Sequence, residues 1–293
     1  MSLDYIDISK RRIIEGPEDK LMQISPAKYR GPMELIDEMQ GNNWFAHDIN
    51  LVDDLAQYKA ASPKIKRAVQ KALGFLSNLD GIQLSTLTEH IGSKVTTPEY
   101  RMLLVRQAYE ELVHVQTYDL MISTFEMDPI ETYNLFMTDD LLRKKNEHII
   151  RMAELLGEGS GGEDFVRAIA ANQALEGIYF NMGFKLFYVL HKQGMFAGAA
   201  KGIRYINRDE QTHLRGFNMM WHDLRAERPD LFTDEVLEDC AQILREATEM
   251  EITWGQHIIE GGILGLTDPI VERHAKFLSN RYSQSIGLGR LYP

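Results

Sequence analysis

Two copies of one short motif, Glu-x-x-His, constrain the fold of this chain more than any other feature. Glu111 with His114 and Glu210 with His213 form the two copies, and each copy lies inside a long stretch of helical periodicity. Residues three apart on an α-helix project from the same face, one turn apart, so both side chains of a copy can reach one metal ion. The motif therefore predicts two helices that each supply a pair of metal ligands.

Each copy also lies on a helix face that is otherwise largely apolar. The two faces, followed in steps of three and four, comprise Leu104, Gln107, Glu111, His114, Tyr118 and Ile122, and then Ile203, Ile206, Glu210, His213, Phe217 and Met220. An ionised acid that faces a protein core is unfavourable unless a positive charge lies beside it, and a metal ion is one of the few such compensations. In a chain with nine histidines one copy could arise by chance. Two inward-facing copies favour a metal site.

Two further acids interrupt apolar helix faces. Asp80 continues the face that carries Leu73 and Leu76, and Glu176 shares a face with Phe180. These acids precede the two motifs at nearly equal distances along the chain, which indicates an internal duplication of a helical hairpin. One acid from each of two helices and a Glu-x-x-His from each of the other two is the ligand arrangement of ferritin-like carboxylate proteins.

The charge of this set predicts the number of ions. Four carboxylates carry four negative charges, which two divalent ions would neutralise. Oxygen and imidazole ligands favour iron or manganese over the ions that thiolates select. We therefore expect two metal ions per chain, with iron preferred and manganese as the alternative. A structural network of ion pairs is the competing interpretation, and it is disfavoured because the pattern shows no matching inward-facing Lys or Arg.

Helical periodicity runs through most of the 293 residues and predicts an all-α protein, with a ferritin-like four-helix bundle core and additional flanking helices. Residues 1–28 lack a clear period and are predicted to form an N-terminal arm, followed by a single helical domain over 29–293. A capping residue followed by proline predicts helix starts at Ser62-Pro63, Thr97-Pro98, Asp128-Pro129 and Asp268-Pro269. The predicted helices cover residues 32–45, 63–92, 98–126, 129–156, 163–192, 196–224, 233–260 and 269–284.

We interpret two local sequence patterns as structural features and not as binding sites. The glycines of residues 157–162 match a dinucleotide fingerprint on paper, but they follow a helix and carry an acid where a phosphate would bind, so we predict an interhelix loop. The basic run Arg143-Lys144-Lys145 is interpreted as a solvated helix face.

Composition argues against several classes of partner. A formal net charge of −11 disfavours a nucleic-acid or anionic-membrane surface, because such surfaces need clustered Lys and Arg. The single cysteine, Cys240, cannot form an intrachain disulfide and fits a reducing cytosol. The N-terminus lacks an apolar signal region, and no apolar run has the length of a membrane span. A soluble cytoplasmic protein is expected.

Taken together, these residues resemble the small, radical-generating subunit of class I ribonucleotide reductase. The resemblance covers about residues 30–291 and depends on Trp44, on residues 78–82, 111–118, 174–180 and 208–214, on Phe184 and, more weakly, on Trp254 and residues 265–266. It implies that the metal ligands are Asp80, Glu111, His114, Glu176, Glu210 and His213.

The resemblance also implies roles around the metal centre. Tyr118 would carry the stable radical, one turn beyond the ligand His114, in an apolar pocket whose positions are occupied here by Phe180, Phe184 and Ile206. Trp44 and Asp209 would form a hydrogen-bonded electron-transfer route with His114.

The implied function is that of the small (beta) subunit of ribonucleoside-diphosphate reductase. Its dimetal centre would activate oxygen to oxidise the tyrosine, and the radical would pass to a large catalytic subunit that makes deoxyribonucleotides for DNA replication. The small subunit would be a homodimer, active only with that partner. Family members usually continue into a C-terminal docking tail with a relay tyrosine, whereas this sequence stops at Tyr292-Pro293. Either the tail lies outside this sequence or docking differs, so Tyr292 is not assigned the relay role.

Two other functions fit the same bundle. A ligand-binding dimetal oxidase of the same superfamily typically has Glu as its first ligand, so Asp80 together with Tyr118 speaks against it. An iron-storage or purely structural helical protein would not need Trp44, Asp209 and Tyr118 together.

Overall fold

The described part of the protein is built from α-helices. A computed structural model describes residues 7–17, 21–157 and 159–293, and within them β-pairing is limited to two isolated bridges, Ile14 with Val95 and Ile263 with Leu266. The helices are α1 (Arg30–Gly41), α2 (Val52–Ala60), α3 (Pro63–Ser85), α4 (Gly92–Lys94), α5 (Pro98–Thr124), α6 (Pro129–Tyr133), α7 (Asp140–Ala153), α8 (Gly162–Ala174), α9 (Asn181–Lys192), α10 (Ala197–Glu227), α11 (Asp234–Ile259) and α12 (Asp268–Ser285). The predicted all-α class is confirmed.

Four long helical segments form the core. α3 packs against α5, α5 against α10, α10 against α9, and α9 against α3, which closes a four-helix bundle. α1 covers α5 and α10, while α11 lies along α8 and is covered by α12. The bundle therefore unites the four segments on which the predicted ligands lie.

Two of these segments contain a π-helical turn that the sequence did not predict. Residues Thr86–Ile91 connect α3 to α4, and residues Leu175–Tyr179 connect α8 to α9. A π turn holds more residues than an α turn, so it changes which side chains face the core, and such turns are common at functional sites. Glu176 lies inside the second π turn.

The predicted helix starts hold to different degrees. The side chain of Ser62 accepts a hydrogen bond from the amide of Ile65, and Asp128 accepts one from the amide of Glu131. Thr97 makes no such capping bond, and α12 begins at Asp268 itself, one residue earlier than predicted. A proline in the first turn is present in all four helices, so it marks these helix starts more reliably than a capping side chain does.

The prediction of one continuous helix over 129–156 is wrong. α6 ends at Tyr133, a 3-10 turn follows at Leu135–Met137, and α7 begins only at Asp140. Asp139 restarts the helix, because its carboxylate accepts hydrogen bonds from the amides of Leu141 and Leu142, both at 3.1 Å.

Lys145 also contradicts the sequence interpretation. The basic run predicts a solvated position for Lys145, but its side chain is fully buried. On α7 it shares an inward face with Leu142 and Ile149, which are both buried. The helical period, rather than the basic run, decides where Lys145 points.

The segment predicted to be an N-terminal arm lies partly outside the described residues, since 1–6 and 18–20 are not described. Within 7–17 only Ile8–Lys10 is helical, and Ile13 and Ile14 are buried. The amide of Thr96 donates to the carbonyl of Ile13 at 2.8 Å, and the guanidinium of Arg11 lies 3.4 Å from the carboxylate of Glu99. Residues 11–14 therefore pack against the start of α5, while the division of the chain into arm and domain stays a prediction.

The described residues of the 157–162 loop lie outside helices up to Gly162, where α8 begins, and Glu158 is not described. No helix in the described ranges combines the length and apolar character needed to cross a bilayer.

The short helix α2 was missed from the sequence, and it caps a core helix. The carboxylate of Asp54 accepts hydrogen bonds from the first amides of α10, those of Gly198 at 3.1 Å and Ala199 at 2.6 Å. The side-chain carbonyl of Gln57 accepts a third, from the amide of Phe196, at 2.6 Å. Because the cap comes from a distant helix, sequence patterns next to α10 could not show it.

Replacing Asp54 with Ala should lower the free energy of unfolding by about 1–2 kcal/mol, the usual cost of losing a helix cap. Urea unfolding of the metal-free protein measures this change. Asp53→Ala is the matched control, because Asp53 is exposed on the same helix turn. Equal stabilities of the two variants would show that the Asp54 cap contributes nothing.

Candidate metal centre

All six predicted ligands meet in the middle of the bundle. Asp80 comes from α3, Glu111 and His114 from α5, Glu176 from the π turn, and Glu210 and His213 from α10, and every one of the six side chains is buried. Their potential ligand atoms form two groups, each with all atoms within 4.8 Å of one another. The first group is Asp80, Glu111, His114 and Glu210, and the second is Glu111, Glu176, Glu210 and His213.

The two groups share Glu111 and Glu210. Nδ1 of His114 lies 3.1 Å from Oε2 of Glu111 and 3.2 Å from Oε1 of Glu210. Nδ1 of His213 lies 3.3 Å from Oε1 of Glu111 and 2.8 Å from Oε2 of Glu210. Each shared glutamate thus presents one oxygen to each histidine, so Glu111 and Glu210 would help to hold both cations.

Several buried oxygens of the cluster lack a hydrogen-bond partner among the described residues: both carboxylate oxygens of Asp80, Oε2 of Glu176 and Oε1 of Glu210. Buried polar atoms are rarely left unsatisfied, and each such case calls for an explanation. The ion pairs that the described chain offers these acids involve only His114 and His213, with no Lys or Arg. The residues therefore fit two bound cations better than a structural ion-pair network.

Electrostatics supports the same interpretation. Burial, followed by the charge of Glu111, raises the pKa of Asp80 well above its usual value, and burial together with Glu210 raises the pKa of Glu176 to about 8. Burial opposes a charged His114, but the surrounding carboxylates, Glu210 first, outweigh it and hold its pKa well above the usual range. Ionising all of these acids together is therefore unfavourable unless cations lie beside them, which is what two divalent ions would supply.

A hydrogen-bonded chain leads outward from the first histidine. Nε2 of His114 lies 3.3 Å from Oδ2 of Asp209, and the same oxygen accepts a 2.6 Å hydrogen bond from Nε1 of Trp44. The rings of Trp44 and His114 are stacked at 6.2 Å between centroids. Burial alone would raise the pKa of Asp209, but the hydrogen bonds from His114 and Trp44 hold it below its usual value. An ionised Asp209 accepts both bonds.

The second histidine has an equivalent partner that the sequence analysis missed. Nε2 of His213 lies 2.9 Å from Oε2 of Glu110, whose other oxygen accepts a 2.9 Å bond from Arg106. Glu110 precedes the ligand Glu111 just as Asp209 precedes Glu210. The duplicated motif could have revealed it, because each ligand histidine is supported by the residue before the other motif's glutamate.

Two glutamines also support the centre and were not assigned a role from the sequence. Nε2 of Gln107 donates to Oε1 of Glu176 at 2.5 Å, and Gln83 donates to the same oxygen. Both glutamines are buried. Because both glutamines bond to Oε1 of Glu176, the other oxygen, Oε2, stays free to face His213, and it lies 3.6 Å from Nδ1 of that histidine. An amide on a core face beside a ligand is the signal that could have identified them.

Tyr118 lies on α5 one turn beyond His114, fully buried, and its hydroxyl has no hydrogen-bond partner in the described part of the chain. Burial, and then the charges of Asp80 and Glu210, raise its pKa well above the usual value. Phe180, Phe184 and Ile206 are buried as well.

Comparison with known proteins agrees with this geometry. The family model described as "Ribonucleotide reductase, small chain" matches residues 21–293. The ribonucleoside-diphosphate reductase subunit beta of Treponema pallidum is 32% identical over 290 residues, covering 98% of this chain and 82% of that protein. The chain belongs to the ribonucleotide reductase small-chain family.

Solved structures show the same relationship. The ribonucleotide reductase R2 subunit from Clostridium botulinum superposes with a TM-score of 0.92 at 35% identity, covering 96% of this chain and 89% of that one. A dimanganese(II)-NrdF of Streptococcus sanguinis, at 20% identity and a TM-score of 0.79 over 94% of both chains, shares the fold. The ferritin-like fold and the small-subunit function expected from the sequence are confirmed, in preference to a ligand-binding oxidase or a storage protein.

Membership of the small-chain family and the buried carboxylate–histidine cluster together indicate a dimetal site.

The ligands that belong to both groups should behave differently from those that belong to one. Glu210→Ala should abolish stoichiometric binding of both ions, because Glu210 belongs to both groups, whereas Asp80→Ala should weaken only the ion of the first group. Metal analysis after removal of loosely bound ions measures this, with exposed Glu235→Ala as the control. Two ions retained per Glu210→Ala chain would show that the ligand set is wrong.

Proposed function

We propose that this chain is the radical-generating subunit of a ribonucleoside-diphosphate reductase, and that Asp80, Glu111, His114, Glu176, Glu210 and His213 hold its two metal ions. The observation that carries the proposal is the pair of overlapping ligand groups beside a buried tyrosine, with a hydrogen-bonded chain from His114 to Trp44.

The bound ions would supply the redox chemistry that activates oxygen or another oxidant and removes an electron from a nearby side chain. Iron is the first choice and manganese the alternative, because the cluster offers oxygen and imidazole ligands and no thiolate. The chain's own residues supply the position of the ions, the exclusion of water and the route of the electron.

Tyr118 is proposed to hold the radical. A phenol is protonated at neutral pH, and burial with the charges of Asp80 and Glu210 raises the pKa of Tyr118 further, so the hydroxyl proton would have to leave with the electron, and the nearby carboxylate of Asp80 is the acceptor that the chain offers. The hydroxyl is buried without a partner among the described residues, and a dry pocket protects a radical from reaction with water.

Trp44 and Asp209 are proposed to connect the centre with the protein surface. When Nδ1 of His114 binds a metal, Nε2 carries the proton and donates to Asp209, which also accepts from Trp44. Trp44 is 7% exposed, so it lies at the edge of the core, where an electron can leave the subunit.

The partner in this proposal is a large catalytic subunit that reduces ribonucleoside diphosphates, because the curated relatives carry the name of that reductase's beta subunit. The only cysteine in this sequence, Cys240, is buried, which supports the proposal that the thiol chemistry belongs to the large subunit. A cytoplasmic location fits this cysteine content and stays a prediction.

Radical formation and radical transfer should be separable by mutation. Tyr118→Phe should bind two metals but lose the tyrosyl signal in electron paramagnetic resonance after exposure to oxygen, and Trp44→Phe should keep that signal. Both variants should lose nucleotide reduction by about a hundredfold or more when assayed with the large subunit, since positioned redox steps have no ready substitute.

Tyr133→Phe serves as the control, because Tyr133 lies on α6, outside both ligand groups and outside the hydrogen-bonded chain from His114 to Trp44. A tyrosyl signal that persists in Tyr118→Phe would remove that residue from the mechanism. Full activity in Trp44→Phe would remove the proposed route.

A homodimer is also proposed, because α5 presents an apolar stripe to solvent. Val105 is 68% exposed, Tyr109 38% and Leu112 45%, and their spacing of four and three puts them on one face. Contiguous exposed apolar patches commonly mark protein interfaces. The bundle's ligands face the other side of this helix, so a second copy could cover the stripe without entering the site.

Val105→Glu combined with Leu112→Glu should convert a dimer into a monomer, because two charges would have to be buried at the interface. Sedimentation velocity measures the change. Ile130→Glu is the control, since Ile130 is 76% exposed on a different helix. A double variant that sediments like the unchanged protein would exclude this face as the dimer interface.

A further inference from the structure

A second buried charged cluster lies outside the metal centre. Lys145 of α7 and Glu251 of α11 are both fully buried, and their side chains form an ion pair. The ammonium lies 3.8 Å from the ring centroid of Phe75 and 5.5 Å from that of Trp254. Neither charged residue belongs to the two ligand groups. The pair therefore needs an explanation of its own.

Stability is a weak explanation for such a pair. Removing two charges from water is costly, and apolar side chains of similar volume often replace a buried ion pair with no loss of stability. Burial lowers the pKa of Lys145 to about 8 and raises the pKa of Glu251 to about 7, although each charge partly opposes that effect on the other. The remaining contacts of the pair are more informative.

Both partners make hydrogen bonds to the backbone around the second π turn. Oε1 of Glu251 accepts from the amide of Met182 at 2.8 Å, and the ammonium of Lys145 donates to the carbonyl of Tyr179 at 3.4 Å. In a regular α-helix the amide of Met182 would donate to the carbonyl of Ile178, four residues earlier. The pair thus provides partners for two backbone groups where the α-helical pattern is interrupted.

The interruption matters because Glu176 lies in the same π turn. Each residue of an α-helix advances the direction of the side chain by about 100°, so a change of one residue in the turn would move a ligand off the face that points into the bundle. Glu176 is the ligand of the second group that neither motif supplies.

We propose that the Lys145–Glu251 pair is a positioning element that holds the π turn Leu175–Tyr179 in the register that delivers Glu176 to the second metal ion. The inference rests on the proposed ligand set. In this proposal Lys145 and Glu251 act on the ligand through the backbone and do not contact the ions.

Two double variants with equal charge test this role. Lys145→Met/Glu251→Gln keeps an acceptor for the amide of Met182, whereas Lys145→Met/Glu251→Leu removes it. Titration with Mn²⁺, with free ion measured by electron paramagnetic resonance, should show the second ion bound about tenfold to a hundredfold more weakly in the Leu variant, the range typical of lost support for a metal ligand. The Gln variant should bind it close to normally.

A readout without metal accompanies the titration. Amide hydrogen exchange in metal-free protein should be faster over residues 179–184 in the Leu variant than in the Gln variant, because the Met182 amide has lost its acceptor. The exposed pair Lys276 and Glu272 of α12 gives the matched control, Lys276→Met/Glu272→Leu, which should change neither measurement.

The outcomes separate this inference from the proposed function. A folded Leu variant with unchanged Mn²⁺ affinity and unchanged exchange would overturn the positioning role alone. Unchanged Mn²⁺ binding in Glu176→Ala would overturn the ligand set, and the inference with it. If the Leu variant does not fold, Lys145→Met/Glu251→Met, which also lacks an acceptor for the amide of Met182 but fills the space with a more adaptable side chain, takes its place with the same expected weakening, and unchanged Mn²⁺ affinity in it would overturn the positioning role.

Discussion

The burial of four carboxylates and two imidazoles in a dry helical core is the constraint on which the rest of this structure depends. Desolvation makes each ionised acid costly, and mutual repulsion adds to that cost, so the pKa values of Asp80 and Glu176 are raised. Oxygens of the cluster lie buried without hydrogen bonds from the described residues. Such a core is most stable when cations occupy it, and this couples metal binding to the stability of the bundle that creates the site.

The internal duplication explains how a near-symmetric site can have two unlike sides. Each ligand histidine is supported by the acid that precedes the other motif's glutamate: Asp209 supports His114, and Glu110 supports His213. The difference lies in the next contact outward. Asp209 accepts from the indole of Trp44 as well as from the guanidinium of Arg208, whereas Glu110 accepts from the guanidinium of Arg106. Of these contacts only the indole can be oxidised under these conditions, so in the proposed function the electron would leave on the side of His114.

Helical periodicity predicts the cluster of side chains that the structure brings together, because Asp80 and Glu176 each occupy a position on a buried face where an apolar side chain would be expected. The same reasoning applied to α7 would have placed Lys145 inside, but the basic run around it suggested a solvated face. The π turn at Leu175–Tyr179 could not be predicted, since the carbonyl of Tyr179 and the amide of Met182 just after it bond to side chains on other helices. Likewise α2 and its cap on α10 depend on contacts between segments far apart in sequence, which local patterns do not contain.

The segment that follows the π turn links the position of a ligand to the environment of the tyrosine. The regular α-helical pattern resumes where the amide of Phe184 donates to the carbonyl of Phe180 at 3.1 Å, and their rings stack at 5.5 Å between centroids. These are the two phenylalanines that the family resemblance assigns to the pocket around Tyr118. A shift in the register of the π turn would therefore move Glu176 and the wall of that pocket together. If Glu176 binds a metal ion and Tyr118 holds the radical, as proposed, one short piece of backbone would set both the ligand position and the exclusion of water, so a rigid anchor for it would serve both.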